Sequence, residues 1–432
     1  MKKIIIIISL LATIPFVSDA QFKGLAAKIK SKVNNRIDRN VDQQIDKGLD
    51  KAEADAKASV KGGQTVTESK TSDTASNAVT ETASVKSFSK YDFIPGEEIL
   101  FYNNFEEESI AELPVGWNTN GTGEVVTLDN FSGKWLRLHN PFVYLTSNTK
   151  AFPENYTMEF DIILQLKSNG WMYPEIFFGL LNTKDESTTD NFFLTDQKKY
   201  GSVIATLHPG EYKSSRISLN SFTEEKPYFK GDAKPFGDLE KNYGKISHIA
   251  IQVQKERFRM WINEEKCFDV PKGIPAGQLM NQLFFKVGQT NYKEDQYGIY
   301  VGNIKVATGK ADTRHKLVEE GTFSTSGILF DVNAATIKPE SAGVLKEVAG
   351  VLSQYKDIKV MIIGHTDCDG SDAANVTLSQ KRAVAVKDAL VNDYSIDASR
   401  IETDGKGESA PVADNKTKEG KAANRRVEFI KK

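Results

Sequence analysis

The stretch Gly364-His-Thr-Asp-Cys-Asp-Gly-Ser-Asp-Ala-Ala-Asn-Val-Thr-Leu-Ser-Gln-Lys-Arg382 sets an acid and a guanidinium on either side of a polar loop. A carboxylate such as Asp367 receives an ammonium. A guanidinium such as Arg382 takes a carboxylate in bidentate fashion. Two such groups flanking one cleft suit a zwitterion, and free backbone N–H groups at a helix start can take further anionic oxygens. The elements that must position them are readable. Ile358 to Ile363 is a buried strand ending at Gly364. Ser371 is a good N-cap residue, and a helix runs from about Asp372 to Val391, carrying Leu378, Ala385, Ala389 and Leu390. Such a strand–loop–helix turn folds the helix back along its strand. On these two residues alone, an ordinary helix–loop ion pair remains the favoured alternative.

Other chemically capable residues carry less. Glu159 and Asp161 sit two apart on an alternating strand, Tyr156 to Leu164, and so face the same way. Retaining glycosidases need two carboxyl groups ~5 Å apart, and sandwich-type glycosidases place a third acid at the next same-face position. Here that position is Ile163, which predicts a non-catalytic strand. His365 reads as a strand-end hydrogen-bonding residue. No His or Cys lies at metal spacing from it, so neither a metal site nor a cofactor is expected. The two cysteines, Cys267 and Cys368, exclude a disulfide-dense scaffold and an all-cysteine zinc site. Both thiols are expected to be free, since a bridge would require two domains to dock.

Four segments in order resemble the OmpA-like C-terminal peptidoglycan-binding domain. They are Ile328-Leu-Phe-Asp331 with Ile337-Lys-Pro339; Gly364-His-Thr-Asp367 with Gly370; Asn375 with Leu378-Ser379 and Arg382-Ala383; and Gly405-Lys-Gly-Glu408 with Asn424-Arg-Arg-Val427. The resemblance spans about Thr322 to Ile430. It implies a non-covalent grip on the diaminopimelate of the peptide stem, with Asp367 and Arg382 holding the ligand. Thr366, inside the second motif, and Asn333, where the family often has a contacting Asn, join the implied binding set. Asn375 and Leu378 line the same region by position. Arg425 and Arg426 match the family's paired arginines, one of them expected to serve a structural ion pair.

The rest of the chain frames this domain. Its 432 residues allow two to four domains at ~100–200 residues each. The formal net charge of −2 gives no global pull on phosphates, so no nucleic-acid partner is expected. Residues 1–20 have the basic start, isoleucine run and small-residue cut of a signal peptide, which predicts export to the periplasm. No cysteine follows the cut to carry a lipid. Residues 21–61 repeat Leu25, Ile29, Val33, Ile37, Val41, Ile45 and Leu49 on a basic helix, suited to an outer-membrane surface or to packing on its own protein. Residues 62–87 read as a flexible linker rich in Ser, Thr, Ala and Gly.

Residues 88–308 read as an all-β sandwich. Ile249, Ile251 and Val253 alternate against Phe258, Met260 and Ile262 in a hairpin, and Gly298 to Val306 is a closing strand. Its pattern resembles the concanavalin-like jelly-roll or laminin-G group, including the opening Ile99-Leu-Phe-Tyr-Asn-Asn-Phe-Glu106 and Leu113-Pro-Val-Gly-Trp117. A membrane β-barrel is the alternative, although Gly/Pro-broken stretches such as 224–235 do not suit barrel strands of ~9–11 residues. Residues 309–320 are a short charged connection, and 321–432 an α+β layer. The expected protein is therefore multidomain: an N-terminal α-helix, a jelly-roll sandwich and a C-terminal OmpA-like α+β domain. It would be a non-catalytic, peptidoglycan-binding envelope protein whose sandwich binds a glycan or an envelope protein. The competing class is an exported carbohydrate-active enzyme anchored by the C-terminal domain.

Overall fold

The computed structural model describes residues 91–148, 151–184, 190–309 and 312–432. The expectations for residues 1–20, 21–61 and 62–87 lie outside them. In the strand Asn155–Leu166, Met158, Phe160, Ile162 and Leu164 all point into one apolar core, as their alternation dictates. The hairpin forms in the expected register, with Ile249 opposite Ile262, Ile251 opposite Met260 and Val253 opposite Phe258. These strands belong to an eight-stranded antiparallel sheet. Its central strand Tyr297–Thr308 pairs with Asn155–Leu166 on one side and with both Glu98–Asn103 and Phe131–Leu138 on the other.

A second eight-stranded sheet, centred on Ile176–Asn182 and Gln282–Val287, stacks against the first. Phe160 lies edge-on to Phe178 and Phe285 at 5.1 Å from each, joining the two sheets through aromatic contacts. The middle region is thus two stacked sheets around an apolar filling, and a barrel closed on a polar lumen does not describe it. Trp117, Trp135 and Trp261 are buried, whereas Trp171 is 59% exposed.

The C-terminal region is a four-stranded mixed sheet in the order Thr322–Thr325, Val427–Lys431, Val360–His365, Ile401–Gly407. Only the last pair is parallel, joined through the helix Asp372–Asn392. Two local expectations change. Ile328 to Phe330, an apolar run that reads in the sequence as a strand end, is not a strand; Phe330 makes a single bridge to Ile337, and the edge strand is Thr322–Thr325. The charged connection is partly helical over Thr313–His315 and Lys316–Glu320, because Leu317 buries itself in the C-terminal core.

The sandwich and the C-terminal sheet are packed together. Tyr91 and Phe93 cover Trp261 and Ala250 on the outer face of the first sheet. Helix Ala342–Gln354 reaches the same segment at Gly343, where a Cβ would stand 2.1 Å from the Phe93 carbonyl. Helix Lys418–Asn424 docks beside Glu98–Asn103, its Glu419 carboxylate accepting the Tyr102 amide N–H at 3.2 Å.

Candidate ligand-binding site

The site begins with a close approach. A Cβ on Gly364 would stand 2.2 Å from the Ser379 carbonyl, and one on Gly405 would stand 2.3 Å from the Gln380 amide nitrogen. Two adjacent strands without side chains there let helix Asp372–Asn392 lie directly on the sheet. The helix is capped by Ser371, whose hydroxyl accepts the Ala374 N–H at 3.4 Å. This places Arg382 and the loop bearing Asp367 on the walls of one cavity of about 480 Å³.

Asp367 is nearly buried. Its carboxylate accepts the Asp369 N–H at 3.2 Å and pairs with the Arg425 guanidinium. Arg425 also lies over the Tyr102 ring, 5.1 Å from its centroid, so a sandwich residue helps to hold it. Arg382 donates Nε–H to the Ala334 carbonyl at 3.0 Å and an Nη2–H to that of Asp331 at 3.5 Å, and stacks on Phe330 at 4.9 Å. Burial and the neighbouring Arg425 lower its pKa to about 10. It remains a cation at neutral pH, and two of its five N–H donors are committed.

The remaining expected residues divide. Thr366 is buried in the cavity wall with its hydroxyl unpartnered. Arg426 gives one N–H to the Ala410 carbonyl at 3.1 Å, while its Nε and Nη1 have no hydrogen-bond partner. Leu378 supplies apolar lining. Asn375 holds the loop: its amide reaches the Asp367 and Asp369 carbonyls at 3.3 and 3.2 Å and the Glu408 carboxylate at 2.6 Å. Asn333 adopts a left-handed backbone conformation (φ 56°) at the cavity's exposed rim. His365 bonds Glu428 at 3.1 Å, and burial together with Arg426 lowers its pKa, which keeps it neutral. Among the described residues, no group of three metal-ligating side chains converges. Cys267 is buried and Cys368 exposed, and both are free thiols.

The opposite wall comes from the sandwich and was missed by sequence reasoning. His248 Nδ1 lies 2.7 Å from Asp161 and its Nε2 3.4 Å from Glu159. Lys305 Nζ stands 2.8 Å from Glu159. A register shift between Gly302 and Lys305 turns Asn303 so that its amide donates to Asp161 at 2.8 Å. Lys338 of the C-terminal region reaches Asp161 at 3.7 Å.

Burial pushes the Glu159 pKa up, but Lys305 and His248 outweigh it and hold it down to about 2. Burial likewise raises that of Asp161, and His248, Lys338 and Asn303 more than reverse it. Burial alone would lower the His248 pKa, yet Asp161 and Glu159 raise it to about 10, so it is an imidazolium at neutral pH. The signal was present in Tyr156 to Leu164 and Ser247 to Val253, where Glu159, Asp161 and His248 stand in strands that otherwise carry no acid, base or histidine.

Residues 329–425 match the OmpA family. They form an OmpA-family domain. Outer membrane porin F of Pseudomonas aeruginosa is 46% identical over 101 residues, covering 23% of this chain and 29% of the porin. The probable lipoprotein YiaD of Escherichia coli is 48% identical over 104 residues, covering 24% of this chain and 47% of the lipoprotein. This chain therefore spans less than half the length of either relative. The crystal structure of the peptidoglycan-associated lipoprotein from Burkholderia pseudomallei aligns at 28% identity, covering 25% of this chain and 89% of that one, with a TM-score of 0.23. The OmpA-family match contains Asp367, Arg382, Thr366, Asn333, Asn375, Leu378 and Arg425, and it leaves the sandwich wall of the cavity outside it.

Proposed function

We propose that this protein is a non-catalytic component of the cell envelope that binds peptidoglycan through its OmpA-family domain, gripping the diaminopimelate of the stem peptide. The observation that carries this reading is the convergence of Asp367 and Arg382 on one cavity, with the buried Thr366 hydroxyl and Arg426 N–H groups still unpartnered beside them. A carboxylate has about four acceptor positions, so Asp367 can take a ligand ammonium while keeping Arg425. The uncommitted N–H groups of Arg382 then face the ligand's carboxylate. Relatives named as outer-membrane proteins and a lipoprotein support placement at the envelope.

Glu159 and Asp161 support the non-catalytic part. A glycosidase general acid needs a raised pKa, whereas both of these carboxyl groups are held ionised by neighbouring cations. The jelly-roll sandwich is assigned a glycan- or protein-binding role, with the exposed Trp171 and Met172 as its candidate contact, and the basic N-terminal segment an outer-membrane surface.

Sedimentation of the full chain with purified peptidoglycan sacculi tests the reading. Asp367→Ala and Arg382→Ala should each weaken binding by about 2–5 kcal/mol, because each leaves a ligand charge unpaired. Unchanged sedimentation of both variants would sink the assignment.

A further inference from the structure

We propose that the β-sandwich forms the second wall of the peptidoglycan site, so that the stem peptide is held between the two domains and the cluster of Glu159, Asp161, His248 and Lys305 contacts the peptide beyond its diaminopimelate. This deepens the peptidoglycan reading and rests on it.

Three observations carry the idea. The cavity holding Asp367 and Arg382 is continuous with the sandwich face, and its volume of about 480 Å³ falls in the range of sites that enclose small ligands, roughly 300–1,000 Å³. A second cavity of about 580 Å³ shares Ile246, Asp331 and Lys338 with the first, so the interdomain groove extends past the space one amino acid would need. An extended peptide fits a groove of this form better than a single residue does.

The sandwich wall is also built in a way that packing alone does not explain. Glu159, Asp161, His248 and Lys305 are each no more than 6% exposed. Burying charges is costly, and apolar side chains would seal a domain interface at lower cost. Here the four charged residues instead line the same cavity as Asp367 and Arg382. The third observation is that the C-terminal wall of the cavity keeps unpartnered polar atoms. Thr366 Oγ1 is buried without a hydrogen-bond partner, and so are Nε and Nη1 of Arg426.

The charge balance names the ligand chemistry. Lys305 and the His248 imidazolium are two cations against the two carboxylates of Glu159 and Asp161, and Lys338 reaches Asp161 from the C-terminal wall. The sandwich wall is charge-balanced and presents donors and acceptors together, which suits the amide groups of an extended peptide.

Calorimetric titration of the full chain with two probes, free diaminopimelate and a stem tetrapeptide containing it, tests the proposal. Lys305→Gln and His248→Gln should each weaken tetrapeptide binding about tenfold more than diaminopimelate binding, and Lys305→Arg should recover most of the loss. In the unsubstituted chain, the tetrapeptide should slow amide hydrogen exchange at Ser247–His248 and at Asn303–Lys305. That measurement stands even if a variant fails to fold. If the two probes weaken equally, if exchange at these strands is unchanged, or if the variants bind the tetrapeptide more tightly, the second-wall proposal is overturned. Asp367→Ala distinguishes the two levels: loss of both probes there keeps the peptidoglycan reading whatever the sandwich variants do, and retention of both defeats that reading itself.

Discussion

Asp367 is held through a chain of two residues that sequence order keeps far apart. Arg425 holds it from the end of the chain, and Tyr102 of the sandwich holds Arg425 in turn. The ion pair expected of one of the paired arginines is therefore the Arg425–Asp367 contact. His248 offers a residue-scale test through pH. Its folded-state pKa of about 10 lies above the unfolded value of about 6.5. The stabilisation it brings is full below about pH 6.5 and is lost as pH rises towards 10. Glu159 runs the other way: its folded pKa of about 2 lies below the ordinary glutamate value of about 4.5, so its contribution is present above about pH 4.5 and lost as pH falls towards 2. Urea unfolding from pH 6 to 10 should show stability falling in the unsubstituted chain, with a shallower slope in His248→Gln. Equal slopes would contradict the His248 assignment.

At the scale of elements, glycines decide where the binding helix sits. Gly364 lets helix Asp372–Asn392 rest on the strand, and the obstructing atom is the Ser379 main-chain carbonyl, which cannot rotate aside like a side chain. Gly364→Ala should therefore destabilise the domain by about 1–3 kcal/mol, the usual cost of overpacking, and displace Arg382 from the Asp367 loop. Equilibrium unfolding and sacculus binding should fall together; a variant with unaltered stability would show that the helix shifts freely. The alternating strands and the Ser371 cap were legible because their signals are local. The helical turn at Lys316–Glu320 was not, since it depends on burying Leu317 against distant parts of the C-terminal core.

At the scale of the whole described molecule, charged contacts tie the binding domain to the sandwich. Lys418 pairs with Glu108, and Lys421 lies 3.0 Å from Glu107 and 3.1 Å from Asp369 of the site loop. The Glu108 side chain is 4% exposed and that of Lys418 25%, so the pair is partly screened. Glu108→Ala should cost about 1–3 kcal/mol, less than the ~3–5 kcal/mol of breaking a fully buried pair. Hydrogen exchange should quicken both in the loop carrying Glu108, which follows strand Glu98–Asn103, and in Lys418–Asn424, the two segments the pair joins. Acceleration confined to one of them would show that the contact does not couple the domains.

The hairpin register, the Ser371-capped helix and the placing of Asp367 and Arg382 on either side of its loop were written in the sequence, because periodicity and caps act over a few residues. The tertiary structure alone decided what faces those two side chains. Alternation marks Glu159 and Asp161 as lying opposite the apolar face, and solvent is the default expectation for a polar face. The C-terminal domain covers that face instead and leaves both acids buried beside His248 and Lys305. Which surface meets which is set by contacts between segments more than a hundred residues apart, and no local pattern encodes such a meeting.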